Sequence, residues 1–290
     1  MLALTIMVAA SVNAQLLWKV SGGNTYKPSY LFGTIHLETS AYIDSVPGLR
    51  QAINEVDAVY GEILKDSLIG GNTVMKMAKK LIAPSDSTID KLLTTEEYRL
   101  VDSVVNNYMM GLIGLDKLTK LKPVALTTQI TLMQMAKYFP QFTGTSSGID
   151  ASIQDEALKL GKHVDGLETV EDQIRALFGT SLKEQAQELV ELCRNDKKFM
   201  QNSQELCDAY HAQDLAAIER IVLDKEKGMS DAAMDRSCYD RNRRWMDKIT
   251  MTLPVQSVLV AVGAAHLVGK DGLIELLRQR GYTVDPVIIK

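Results

Sequence analysis

The stretch Tyr30–Tyr42, YLFGTIHLETSAY, decides how this chain is read. An apolar run leads into Gly33, and a histidine follows three positions later at His36. Near the other end, Ser257–Gly269, SVLVAVGAAHLVG, repeats the device with Gly263 and His266. The chain has four histidines in all, so half of them sit in one arrangement, apolar run then Gly-x-x-His. Short, apolar, β-branched runs of this kind read as buried strands, and two more follow the pattern, AVYGEI at 58–63 and HVDGLE at 163–168. The expected strands are therefore 29–36, 58–63, 163–168 and 257–266. LLWKV at 16–20 is an expected hairpin partner of the first, and TVDPVII at 283–289 an edge strand, where Pro286 is tolerated.

Between these runs the pattern is helical. Thr94 and Glu97 form a capping box, with Tyr98, Val101, Val105 and Tyr108 following at helical spacing. Pro123 suits the first turn of a helix through VALTTQITLMQMAKYF, and Thr169 with Asp172 repeats the cap after Glu168. Residues 180 to 250 read as two or three charged, amphipathic helices. Met75, Met77, Met109, Met110, Met133 and Met135 read as helical core filler. No linker interrupts the chain. The expectation is an α/β fold: a central mixed, largely parallel sheet carrying the two Gly-x-x-His motifs at strand ends, with a large helical insertion, all in one domain from 15 to 290.

Strands joined by helical crossovers run parallel, and their carboxyl ends share one sheet edge, where α/β folds place ligands. His36, Glu62, Glu168 and His266 all fall at such ends. Two histidines and two glutamates should thus face one crevice, with each glycine allowing a tight turn and close backbone approach. His163 and His211 read as structural or surface residues.

Composition narrows the function. A net charge of -4, with RNRRW at 241–245 as the densest basic run, argues against nucleic acid as a partner. Residues 1–14 are uncharged and apolar and end in VNA, the ending of a signal peptide cleaved between Ala14 and Gln15. That run is too short to span a bilayer, so the mature chain is expected to have no membrane span and to be exported, periplasmic or extracellular. Cys193, Cys207 and Cys238 lack the short spacings of a zinc site. One disulfide or three buried thiols fit them equally.

At these residues the sequence resembles the TraB/GumN family. The matching pieces are LLWKV with SYLFGTIHL, AVYGEI, GID at 148–150, GLETVEDQ at 166–173, YDRNRRW at 239–245 and VAVGAAHLVGKDGLIELLRQRGYTV at 260–284. They occur in the family's order over residues 16 to 285. The resemblance implies a metal-dependent hydrolase built around the two Gly-x-x-His motifs and acidic residues; a peptide or protein is the expected substrate, although the family's own substrates do not carry over. His36, Glu62 and His266 would be the metal ligands, and Glu168, Arg241 and Asn242 catalytic groups. Tyr239 and Asp150 fall on recurrent family positions.

The bottom-up chemistry agrees in kind. Two imidazoles and a carboxylate suit a catalytic divalent ion with an open position for water, and nitrogen and oxygen donors suit Mn, Co or Zn alike. Glu168 would take the water's proton, Arg241 would stabilise an oxyanion and Asn242 would donate a further hydrogen bond; the two glutamates could exchange roles. Two other readings accompany this one: a metal-free, esterase-type hydrolase with histidine as base, and a protein that sequesters peptide or haem. For export, intact-mass analysis of protein recovered from an exporting host should find Gln15 as the first residue; retention of Met1 would contradict it.

Overall fold

The computed structural model describes residues 15–68, 71–139 and 148–288. The expected signal peptide lies outside them. Six strands form one sheet: β1 (Leu17–Ser21), β2 (Ser29–Thr34), β3 (Ala58–Gly61), β4 (His163–Gly166), β5 (Val258–Gly263) and β6 (Thr283–Pro286), in the order β4-β3-β5-β2-β1-β6. The pairs β4–β3, β3–β5 and β5–β2 are parallel; β1 is antiparallel to both β2 and β6. The sheet is mixed and largely parallel, as expected from the sequence.

The residue types explain the layering. β2 is buried throughout and β5 nearly so, the continuous apolar run of a strand covered on both faces. Leu49, Ile53, Ile149 and Ile153 from two helices belong to the core around this sheet, as do Trp245, Met246, Ile249 and Leu273 from two others. β6 ends in Pro286 and lies at the edge, where the missing N–H breaks no ladder.

The four parallel strands are each shorter than their apolar runs suggested. β2 stops at Thr34, β3 at Gly61, β4 at Gly166 and β5 at Gly263, so the four polar residues stand one to three positions beyond the ladder, in the loops that leave its carboxyl edge. The pairing nevertheless carries past the strands: the N–H of Glu168 donates to the carbonyl of Glu62 at 2.9 Å. The motif glycines are not in left-handed conformations, contrary to the tight-turn expectation. Gly33 instead allows contact between neighbours, since a Cβ there would meet Ala264 Cα and Leu267 Cδ1 at 3.1 Å.

The helical part comes from two connections. The β3–β4 connection includes Thr95–Tyr108, Pro123–Tyr138 and Ile149–Lys159; the β4–β5 connection includes Val170–Phe178, Leu182–Arg194, Asp196–His211, Leu215–Val222 and Asp240–Thr252. The second region is cut into more helices than the two or three expected, because Ser181, Asp214 and Ser230 each cap a new start. The boxes at Thr94–Glu97 and Thr169–Asp172 are both complete, and Pro123 opens its helix. Ile89, Val101, Val105, Leu126 and Ile130 join Leu189, Val190 and Cys193 in a second core. The methionines divide: Met75 and Met110 are exposed, whereas Met109 packs, partly buried, against this second core and Met135 against a smaller cluster of Phe139, Met200 and Cys207. Met110 ends its helix at φ 52°, ahead of Gly111, which turns the side chain outward. The three cysteines are free and buried, and among the described residues no helix is long and apolar enough to cross a membrane.

Gly166 closes the β3–β4 pairing. A Cβ there would stand 2.6 Å from Leu64 N and 2.9 Å from Ile63 Cα, both backbone atoms. Gly166→Ala should therefore cost about 1–3 kcal/mol, measured as a lower urea midpoint with unchanged slope.

Candidate active site

The carboxyl edge of the four parallel strands opens into a cavity of about 340 Å³ lined by Thr34, His36, Glu62, Gln173, Arg241 and His266, with an apolar wall that includes Leu177, Leu206 and Val222. Parallel register sets the two motifs side by side, with Thr34 opposite Gly263. Glu168 and Asn242, the other expected site residues, lie immediately behind this lining, bonded to Arg241 and His266 respectively.

Arg241 gathers the cluster. It sits on the helix Asp240–Thr252, directly after a π-helical turn at Asp235–Tyr239, and is 3% exposed. Its Nε donates to Glu168 Oε1 and Oε2 at 3.1 and 3.2 Å, and its Nη2 to Glu168 Oε1 at 2.6 Å and Glu62 Oε2 at 2.5 Å. Nη1 donates to the Ser237 carbonyl at 2.9 Å and to His266 Nε2 at 3.1 Å. All five guanidinium N–H groups are engaged. Glu62 also accepts from Gly263 N–H at 3.0 Å and Gln173 Nε2 at 3.3 Å.

The tautomer of His266 follows from Asn242. That amide's Nδ2 donates to the carbonyls of His266 and Asp271, both at 2.9 Å. Its Oδ1 must then accept the remaining bond, from His266 Nδ1 at 2.7 Å. The proton sits on Nδ1, and Nε2 presents a lone pair toward Arg241, 3.6 Å from Glu62 Oε1. Asn242 has no hydrogen left for a substrate. Burial, reinforced by the Arg241 charge, lowers the His266 pKa to about 4 against the pull of Glu62. For Glu62 burial pushes the other way, but attraction to His266 and Arg241 and the Gly263 N–H outweigh it, bringing the carboxyl down to about 2. At neutral pH the pair is an anion beside a neutral imidazole.

His36 stands apart. Its side chain is 80% exposed, and Nδ1 meets Asp150 Oδ2 at 3.1 Å. Asp150 opens the helix Ile149–Lys159 and accepts from Thr34 Oγ1 at 2.5 Å through its other oxygen. The bond to Asp150 raises the pKa of His36 above its ordinary value. Among the described residues no three His, Cys, Asp or Glu side chains come close enough together to hold a metal ion. His163 and His211 are both exposed, His211 against Glu38 at 2.7 Å.

Two participants escaped the sequence reading. Trp245, 1% exposed, donates Nε1–H to Glu168 Oε2 at 3.1 Å. Its ring packs on His266 with centroids 4.5 Å apart and carries the Arg241 guanidinium at 4.8 Å. The i, i+4 spacing of Arg241 and Trp245 on one helix face was the available signal. Gln173 is the other, one helical turn after the Thr169 cap. Asp150, previously a recurrent position without a role, orients His36.

The sequence profile of the TraB/PrgY/gumN family matches residues 16–286. The chain belongs to the TraB/PrgY/gumN family. Every residue of the site lies within the matched span. Among curated proteins, this family member is similar to Metalloprotease TIKI2 of Danio rerio, 22% identical over 322 residues, covering 93% of this chain and 60% of the relative. It is also similar to Metalloprotease TIKI2 of Xenopus tropicalis, 22% identical with 93% and 59% covered, and to Metalloprotease TIKI1 of Danio rerio, 22% identical with 89% and 60% covered. The chain spans about 60% of the length of these relatives. No solved structure matches it.

Trp245→Phe keeps an aromatic ring but removes the N–H to Glu168 and part of the buried ring volume. Leaving that buried carboxylate one donor short should cost about 1.5–3 kcal/mol, read from chemical denaturation; a change below about 0.5 kcal/mol, the usual surface value, would deny the indole a part in the cluster.

Proposed function

We propose that this chain is an exported, metal-dependent hydrolase of peptide or protein substrates, forming one domain over residues 15–290, with the carboxyl-edge cavity as its active site. The observation that carries the reading is His266: a buried imidazole whose proton is held on Nδ1 by Asn242, leaving Nε2 as a lone pair 3.6 Å from Glu62 Oε1. Two ligands of one ion at bonds of about 2.1 Å stand no more than about 4.2 Å apart, so this pair fits a shared divalent ion. His36, on the same cavity with Nδ1 turned to Asp150, is the third donor in kind. An imidazole whose other nitrogen bonds a carboxylate or amide is the usual metal-ligand arrangement. The names of the Danio and Xenopus relatives, metalloproteases, point the same way.

In this reading His36, Glu62 and His266 hold the ion, which is Mn, Co or Zn. When bound it polarises the scissile carbonyl and makes water acidic. Asn242 fixes the His266 tautomer and Asp150 orients His36. Of the two glutamates only Glu62 lines the cavity; Glu168, 4% exposed and bonded to Arg241 and Trp245, suits an anchor for Arg241 better than a proton acceptor for water. The Leu177, Leu206 and Val222 wall offers apolar contact to a substrate side chain and excludes water from the reacting bond.

A second reading is favoured by the exposed His36 with Asp150 behind it, the arrangement of a histidine general base oriented by a carboxylate. That reading is a metal-free hydrolase.

Chelation separates the two. Peptide hydrolysis by the purified chain should stop with EDTA and return with Mn, Co or Zn. His36→Ala and His266→Ala should each lose ion and activity together, and Asn242→Ala about 10–100-fold in affinity or activity. Hydrolysis that survives chelation but not His36→Ala would replace the metal reading with the general-base one. Full activity and metal content in both histidine variants would refute both readings, whereas no hydrolysis by the parent chain, with or without added ion, would leave sequestration as the better account.

A further inference from the structure

We infer that Arg241 competes with a divalent ion for Nε2 of His266, and that the ion enters by displacing the guanidinium from that nitrogen. The inference rests on the metal reading above and concerns what the chain must give up to bind the ion. The sp² nitrogen Nε2 of His266 has one lone pair. In this structure that lone pair accepts from Arg241 Nη1 at 3.1 Å. The ring cannot offer Nδ1 in exchange, because that nitrogen carries the proton held by Asn242. Metal ligation by His266 and its hydrogen bond from Arg241 therefore exclude each other.

The surroundings make the exchange feasible without losing the arginine. Glu168 holds Nε and Nη2, Ser237 holds Nη1, and the guanidinium rests on Trp245; none of these three is a proposed ligand, while Glu62 meets Arg241 through Oε2 and faces His266 through Oε1. Once His266 is surrendered, one Nη1 N–H is released beside the cavity that Arg241 lines. The same displacement thus turns a fully engaged arginine into one with a donor for a substrate carbonyl or its oxyanion. Charge favours the exchange too. Glu62 and Glu168 face one guanidinium, so the enclosed cluster carries one excess negative charge that an ion offsets.

The test is Co²⁺ binding by titration calorimetry and visible absorption, on the full chain. The variant Arg241→Met with Glu168→Gln removes one charge of each sign and so leaves the net charge of the cluster unchanged. Its Co²⁺ affinity should rise about tenfold or more, the change equivalent to one hydrogen bond to a charged group. Arg241→Lys, which keeps a cation for Glu168 but has fewer donors for His266, should rise less, and it carries the test if the double variant does not fold. Unchanged or weaker binding in whichever of these variants folds would overturn the inference. Co²⁺ binding by His266→Ala equal to the parent's would instead refute the metal reading, whatever Arg241 does. Binding by the double variant but not by the parent would support displacement in its strongest form, and binding by neither would overturn both.

Discussion

One guanidinium in a dry place organises this protein's functional edge. Arg241 joins a carboxylate from the end of β3, another from the end of β4 and an imidazole from the turn after β5. A buried charge of either sign is costly unless paired and hydrogen-bonded, and removing one partner from such a set costs about 3–5 kcal/mol. The three loops that carry these groups are consequently held in register with one another. Asn242, next along the helix, does the same for the loop after His266 through two backbone carbonyls.

That constraint separates the site into a rigid inner part and an open outer part. Glu62, Glu168, Arg241 and His266 are each at most 13% exposed and share hydrogen bonds, whereas His36 is 80% exposed and, among the described residues, its ring is held by Asp150. The two Gly-x-x-His motifs look alike in sequence, and their strands pair directly, yet their histidines live in opposite environments. One is driven toward the neutral ring by burial, the other toward the charged ring by its carboxylate partner.

What was legible in the sequence was whatever is local. The apolar runs of β2 and β5 and the capping boxes at Thr94 and Thr169 depend on neighbours within a few residues, and their type is readable there. The shared edge of His36, Glu62, Glu168 and His266 followed from one topological rule about parallel strands. What was not legible were pairings between remote residues. Asp150 reaches His36 across 114 positions and Arg241 reaches Glu62 across 179, distances at which spacing carries no information. Trp245 was in view as part of YDRNRRW, but only packing shows that its N–H and ring touch three site residues at once. The exposed Met110 shows the converse failure: a hydrophobic residue at helical spacing was assigned to the core, and the left-handed turn that ends the helix points it to water.

The second core has a bearing on how this architecture is assembled. Its two halves, Ile89–Ile130 and Leu189–Cys193, lie on opposite sides of β4 in the chain. During synthesis the first half must wait, its apolar faces uncovered, until about 60 further residues, β4 among them, have emerged, which exposes surface prone to association. The same interleaving means the helical body is no removable cassette. Deleting either connection alone would strip half of a shared interior, so a smaller relative that keeps the sheet would have to lose both together.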